Sequence, residues 1–376
     1  MQKICIIGGG LTGLTTALIL SKLNVKVDLV AKLEPSNRIN DNRTTAISPS
    51  NYKSLCSFLS LEDEKIFWPS TNIDLYHEQS DKYHHFMNFK NNGKNIIYIL
   101  ENKKLIKAIV KKVKSRNKIK IINKEVKKID EKNSEITFKN KKRKYDIIIL
   151  CTGKKSFLVT NLIGKRIISG HPNDIAFTSI VEHNLNINNS KQYFLKEGPM
   201  AILPINKKQF SLVWSVSKNL KLEAIKNLIN HKFKKIFGSN KKLKISKFDF
   251  FPISFSFNVN FFKKNVLVMG ESSYNVHPIA GQGFNMILRD ILNLNSHIKE
   301  HLELGIQLKD SRIFNRFVSS RKPENLLFGL SINLVHEFFR SNKISNSIKK
   351  IILNDLNDIK FLKKLNLRIA DTGIFK

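Results

Sequence analysis

Hydrophobic and polar positions divide the chain into runs whose spacing predicts its elements. Residues 3–7 read as a short apolar strand, Gly8 to Gly13 as a turn, residues 14–23 as a buried helix and residues 25–30 as a second strand. Together they make a βαβ opening. Residues 102–115 predict a basic helix with Leu105, Ile106, Ile109 and Val110 inward. Residues 118–140 predict a strand pair around the turn Glu131-Lys132-Asn133-Ser134. Residues 145–151 are apolar apart from Asp146, as strands buried in a parallel sheet are, and should rejoin the first sheet.

From about residue 171 to 257 the pattern changes to alternation, as at Ile175, Phe177, Ser179 and Val181, interrupted by a helix over 222–237. This predicts a second domain with an antiparallel sheet. Residues 265–269 form another buried strand, and residues 270–304 return to a glycine-rich loop followed by a helix. The nucleotide-type domain is therefore expected to be discontinuous. The remainder reads as mostly helical, with no internal repeat.

Composition supports a folded protein and adds little about partners. The 376 residues exceed the ~250 to 300 at which single cores stop growing, so two domains are expected. Hydrophobic residues make up 41%, with 26 Phe, enough apolar surface to exclude disorder as the default. The formal charge of +35, from 65 Lys and Arg against 30 Asp and Glu, would by itself suggest nucleic acid or an anionic membrane. The lysines are spread through almost every segment rather than gathered in one arm, so nucleic acid is not expected as a partner. Cys5, Cys56 and Cys151 form an odd set without a CxxC pair, which fits a reducing cytosol. No apolar stretch approaches the ~20 residues of a spanning helix, and a cytoplasmic protein, at most peripheral at the membrane, is expected.

Gly8-Gly9-Gly10-Leu11-Thr12-Gly13 fits G-x-G-x-x-G between a strand and a helix. Such a turn lets backbone N–H groups and the helix N-terminus meet a pyrophosphate. Gly8 permits the turn, Gly10 the approach of the pyrophosphate, and Gly13 the packing of helix on sheet. The acid that usually closes the second strand and holds a ribose is absent: Ala31 stands there, leaving Lys32 or Glu34 as substitutes.

Gly270-Glu271-Ser272-Ser273-Tyr274-Asn275-Val276-His277-Pro278-Ile279-Ala280-Gly281-Gln282-Gly283-Phe284-Asn285, followed by Arg289-Asp290, resembles the second FAD motif of aromatic-ring flavin monooxygenases related to para-hydroxybenzoate hydroxylase. Its HPIAGQG core with the downstream RD is similar to the branch that makes ubiquinone. The stretch from Asp41 and Arg43 to Ser48 resembles that family's DxRxxALS segment, and Leu100-Glu101-Asn102 its VEN helix start. Val181-Glu182-His183 and residues 194–204 with Trp214 resemble further blocks, so the resemblance runs nearly full length. Glu271 replaces the usual Asp and Tyr274 the usual His. In Cys151-Thr152-Gly153-Lys154-Lys155-Ser156, Thr152 replaces the Asp of ADGxxS.

The resemblance implies an α/β fold with a discontinuous Rossmann-like FAD-binding domain (1–65, 96–170 and 262–310), an antiparallel-sheet substrate domain (66–95 and 171–261) and a helical C-terminal region (311–376). It implies a monooxygenase that hydroxylates a polyprenylated phenol in ubiquinone biosynthesis. The reaction uses molecular oxygen, NADPH or NADH, and a flavin C4a-hydroperoxide. Implied cofactor-binding residues are Gly8, Gly10, Leu11, Thr12, Gly13, Arg43, Thr152, Gly153, Gly270, Glu271, Pro278, Gly281, Gln282, Gly283, Phe284 and Asn285. No residue is firmly catalytic; His277 is the candidate, against a reading in which it braces the loop. The rival readings are a related FAD oxidoreductase such as a polyprenyl reductase, a non-catalytic flavin-binding scaffold of a quinone-synthesis assembly, and an RNA-modifying flavoprotein.

His297-Ile298-Lys299-Glu300-His301 matches HxxEH, but no third ligand is evident and no metal is expected. Ile348, Ile351, Ile352, Leu356, Ile359 and Leu362, with Lys349, Lys350, Lys360, Lys363 and Lys364, form a basic amphipathic pattern that suits either a membrane surface or core packing.

Overall fold

The computed structural model describes residues 1–33, 41–61, 65–139, 141–153, 156–164, 167–169, 174–220, 222–239, 242–278, 281–310, 312–340, 348–349, 352 and 359–374. Six strands form the first sheet, in the order Phe262–Lys263, Val266–Val268, Ile147–Leu150, Gln2–Ile7, Val25–Val30 and Ile119–Ile122. All neighbours are parallel except the hairpin of the first two. The apolar run at Ile147–Leu150 is buried along its whole length beside Gln2–Ile7, as its composition demands of a strand covered on both faces.

The two faces are covered by different material. Ile4 and Ile6 point into a core made with the helices Leu11–Leu20, Asn102–Lys114, Gln282–Glu303 and Arg312–Arg340. Cys5 and Ile7, one residue out of phase, point to the other face. There Ile136 and Phe138, from a small antiparallel sheet, and Leu158, Val159 and Leu162, from the helix Phe157–Ile163, complete the packing. The first helix begins at Leu11, three residues before the apolar pattern does, because the glycine turn ends at Gly10 and hands the chain straight into helix.

The second sheet has eight strands. In order they are Lys244–Ile245, Asp174–Glu182, Gln209–Ser217, Gly198–Asn206, Ser190–Leu195, Asn72–Gln79 and Lys82–Lys90, with Asp249–Ile253 also paired to Asp174–Glu182. It is antiparallel except at Ser190–Leu195 against Asn72–Gln79, which run parallel. The antiparallel sheet expected of this domain is present, with one parallel seam. There two chain segments more than a hundred residues apart meet, and no tight hairpin forces them to reverse. The helix Leu222–Phe237 lays Ile225, Ile229 and Phe233 on one face, against Phe177, Phe210 and the fully buried Trp214.

The basic amphipathic pattern near the C-terminus is mostly exposed where it is described, with Lys349 buried and Leu362 half-buried. Ile348, Ile352 and Ile359 are exposed, and the helix Lys360–Thr372 has no buried residue and carries Phe361 at 71% exposure. Lys350, Ile351 and Leu356 lie outside the described residues. Among the described residues, no helix is long and apolar enough to cross a membrane.

Candidate cofactor site

The glycine turn is held by backbone contacts that exclude side chains at two of its three key positions. Gly8 adopts φ +131°, and its N–H donates to the Val30 carbonyl at 3.0 Å. A Cβ on Gly8 would sit 2.2 Å from the Cys151 carbonyl oxygen, and one on Gly13 would sit 2.0 Å from the Gly8 carbonyl oxygen. Gly10 differs: a Cβ there meets nothing within 4 Å, and the residue is exposed. Gly10 is also the N-cap of Leu11–Leu20 and supplies no side-chain cap to the first N–H groups of that helix. Absence of a cap together with open space above Gly10 suits a pyrophosphate.

The loop at Gly270 closes onto this turn. Gly270 has φ +74°, and a Cβ on it would lie 2.8 Å from both Cγ2 and Oγ1 of Thr12. Ser272 Oγ donates to the Gly153 carbonyl at 3.2 Å, tying in the third segment. Three stretches distant in sequence, at 8–13, 152–153 and 270–272, thus meet at the ends of neighbouring parallel strands. Thr152 Oγ1 is buried there without a hydrogen-bond partner among the described residues, which fits a bound polar group.

Farther along, Gly281 takes φ 62° as N-cap of Gln282–Glu303 and again provides no side-chain cap. A Cβ on it would be 2.9 Å from Ala46 Cβ, so the tight approach of residues 44–47 requires glycine. Gln282 Oε1 is buried without a partner among the described residues, Gly283 and Phe284 are half-buried, and Glu271 and Pro278 are exposed. Arg43 forks onto Asp41 through Nε and Nη2, and its guanidinium lies 4.8 Å from the Phe251 ring centre. The Asp41 hydrogen bond raises its pKa, burial opposes this, and the nearby Glu271 carboxylate adds to the rise. Arg43 and Glu271 therefore share one electrostatic neighbourhood.

Several residues with motif resemblance turn out to be braces. Asn285 is 1% exposed and its amide is consumed internally. Nδ2 donates to the Ala46 carbonyl at 2.9 Å, and Oδ1 accepts from the Ser48 N–H and the Asn51 amide, each at 3.0 Å. Its side chain thus braces the start of the helix against residues 46–51. Asp290 accepts from Tyr274 Oη at 2.6 Å, Arg321 Nε at 2.7 Å and Asn325 Nδ2 at 2.9 Å, all buried. Arg289 donates to the Ala370 carbonyl and stacks on Phe328. The RD pair thus bolts the cofactor-loop helix to the C-terminal helices. Of the possible ribose substitutes, Lys32 is exposed and Glu34 lies outside the described residues, as do Ile279 and Ala280.

His277 is 5% exposed, and neither ring nitrogen has a hydrogen-bond partner among the described residues. Burial, with His336 and Arg340 nearby, lowers its pKa to about 3. The ring stacks on His336 with centroids 4.1 Å apart. His336 and its neighbour Asp174 carried no motif and were missed in the sequence, because the helix Arg312–Arg340 and the strand Asp174–Glu182 meet the loop only in the fold. In the HxxEH segment, His301 Nδ1 is bonded to the His297 carbonyl at 2.8 Å.

No family model matches the chain. Over an alignment of 450 positions it is 26% identical to the ubiquinone biosynthesis monooxygenase COQ6, mitochondrial, of Dictyostelium discoideum, covering 98% of this chain and 91% of that protein. It is 20% identical to the ubiquinone hydroxylase UbiL of Rhodospirillum rubrum, over 98% of this chain and 85% of that one. Among solved structures it superposes on p-nitrophenol 4-monooxygenase PnpA from Pseudomonas putida with a TM-score of 0.81, at 14% identity over 99% of both chains. On Klebsiella pneumoniae HpxO complexed with FAD and uric acid the TM-score is 0.77, at 12% identity, over 100% of this chain and 98% of that one. The structural likenesses carry the fold, that of FAD-dependent monooxygenases, and the full-length sequence likenesses are to a monooxygenase and a hydroxylase of ubiquinone biosynthesis.

Proposed function

We propose that the chain hydroxylates the aromatic ring of a polyprenylated phenol in ubiquinone biosynthesis, using FAD, molecular oxygen and electrons from NADPH or NADH. One observation carries this reading: the open, uncapped helix start at Gly10 is joined to the second glycine loop through the Gly270–Thr12 contact. Bound FAD would supply the oxygen activation that no side chain provides.

The residues divide the remaining work. Backbone N–H groups from Gly8 to Gly13, including Leu11 and Thr12, bind the pyrophosphate at a helix N-terminus. Glu271, Thr152 and Gly153 address the sugar-alcohol portion, with Arg43 held alongside by Asp41. The uncapped helix start at Gly281-Gln282-Gly283, flanked by Pro278 and Phe284, holds negative charge on the ring system. Residues 1–65, 96–170 and 262–310 serve as the FAD-binding domain, 66–95 and 171–261 as the substrate domain, which excludes water from the reacting ring. Ala31 gives the ribose no side-chain acceptor at the end of the second strand.

Access to a lipid-borne phenol is served by the exposed Leu327, Leu330, Leu334 and Val335 on Arg312–Arg340, with Phe361 among Lys360, Lys363 and Lys364. This surface supports peripheral membrane contact, testable by flotation with anionic liposomes at rising salt. The activity is tested on purified, reconstituted protein. A yellow holoprotein that consumes oxygen with reduced nicotinamide and adds one oxygen atom to a prenylated phenol, read by mass spectrometry, supports the reading. A colourless protein after reconstitution ends it.

A further inference from the structure

We propose that Asp174, His277 and His336 form a divalent-metal site of the two-histidine, one-carboxylate kind, taking zinc or a first-row cation of similar preference. The three ligand atoms lie within 4.8 Å of one another, and all three residues are buried, at 7%, 5% and 6% exposure. They come from three separate places: the start of the strand Asp174–Glu182, the loop before Pro278, and the helix Arg312–Arg340. Two imidazole nitrogens and a carboxylate oxygen suit borderline cations and leave a position open.

His277 supplies the independent sign of a missing ligand. A buried imidazole normally uses both nitrogens, yet both of these lack a hydrogen-bond partner among the described residues. The ring lines a small cavity with Asp174, Phe255, Asn333, His336 and Arg340. His336 is already oriented for ligation, with Nε2 3.4 Å from Asp174 Oδ2 and Nδ1 3.7 Å from Glu337 Oε1. A carboxylate behind a metal-binding imidazole is the usual outer support. The stacked rings must turn so that the 4.8 Å spread closes to the roughly 3.3 Å between ligands of a tetrahedral ion.

Arg340 is the resident competitor. Its Nη1 donates to Asp174 Oδ2 at 2.7 Å, and its side chain is 43% exposed, so it has solvent to swing into when an ion arrives. Once bound, the ion would pin the loop at His277 to the second sheet and the C-terminal helix together. The inference does not rest on the flavin reading, since it concerns the polypeptide alone.

The test is titration of Zn2+ into full-length, tag-free, chelator-treated protein by calorimetry, with Co2+ absorption as a second readout. The expected result is one equivalent bound, with His277→Gln and His336→Gln each weakening affinity about 100-fold and abolishing the cobalt ligand-field bands. His297→Gln should leave binding unchanged, which separates this site from the HxxEH segment. Arg340→Gln should tighten binding about 10-fold by removing the competing cation, a gain that misfolding cannot produce. Absence of binding to the wild type, binding indifferent to both histidine variants, or weaker binding in Arg340→Gln would each overturn the proposal.

Discussion

Replacing Gly10 and Gly13 by alanine separates the two jobs assigned to the first glycine turn. At Gly13 a methyl would lie 2.0 Å from the Gly8 carbonyl oxygen and 3.3 Å from Cys151 Cβ, while Cβ contacts under 3.0 Å are essentially never seen. The helix must therefore retreat from the turn by about 3.0 − 2.0 = 1 Å, against backbone that cannot rotate away. Overpacking of that sort costs about 3 kcal/mol at the upper end of its range, and better helix propensity returns about 1 kcal/mol. The net loss of about 2 kcal/mol should lower the melting temperature of the flavin-free protein by about 2–3 °C. At Gly10 the methyl meets nothing and φ is −75°, so alanine leaves the flavin-free protein unchanged or about 0.5 kcal/mol more stable. That methyl does, however, occupy the space above the helix N-terminus where the pyrophosphate is assigned, and FAD affinity should fall at least about tenfold. Differential scanning fluorimetry without flavin and fluorescence titration with FAD read both quantities. Wild-type affinity in Gly10→Ala, or an unshifted melt in Gly13→Ala, would refute the assignment.

Asn285→Ala removes the clamp on Ala46, Ser48 and Asn51 and leaves buried backbone groups unpaired, so chemical denaturation should show a loss of about 2–4 kcal/mol. Arg321→Met strands the buried Asp290 and Glu324 carboxylates, for an expected loss of about 3–5 kcal/mol in the same assay; an unchanged midpoint would contradict the bolt assigned to this network. Glu101 is held below its usual pKa of 4.5 because the Lys104 and Lys103 ammonium groups outweigh the opposing effect of burial. A depressed carboxylate contributes stability that is complete above pH 4.5 and is lost as pH falls through its folded value. Glu101→Gln should therefore flatten the acid limb of the stability profile below pH 4.5 and leave the neutral region parallel to wild type.

The strands were legible because their signals are local. An all-apolar run such as Ile147–Leu150 can only be buried on both sides, and a helix period such as that of Leu222–Phe237 marks its own inward face. The parallel seam between Ser190–Leu195 and Asn72–Gln79 was not legible, because register between distant segments is chosen by packing and not by the residues of either strand alone. Motif resemblance likewise could not separate ligand from brace. Asn285 and Asp290 stand in the same stretch as Gly281, yet their side chains are consumed by Ala46, Ser48, Tyr274 and Arg321.

The sequence by itself determined the βαβ opening, the discontinuous return at Gly270 and the glycines that neighbouring backbone forbids to change, since chain stiffness and hydrophobic period act over a few residues. Only the tertiary structure decided which polar groups remain unsatisfied. Among the described residues, Thr152 Oγ1 and both nitrogens of His277 have no partner although segments hundreds of residues apart fold around them, and no local pattern records such a group.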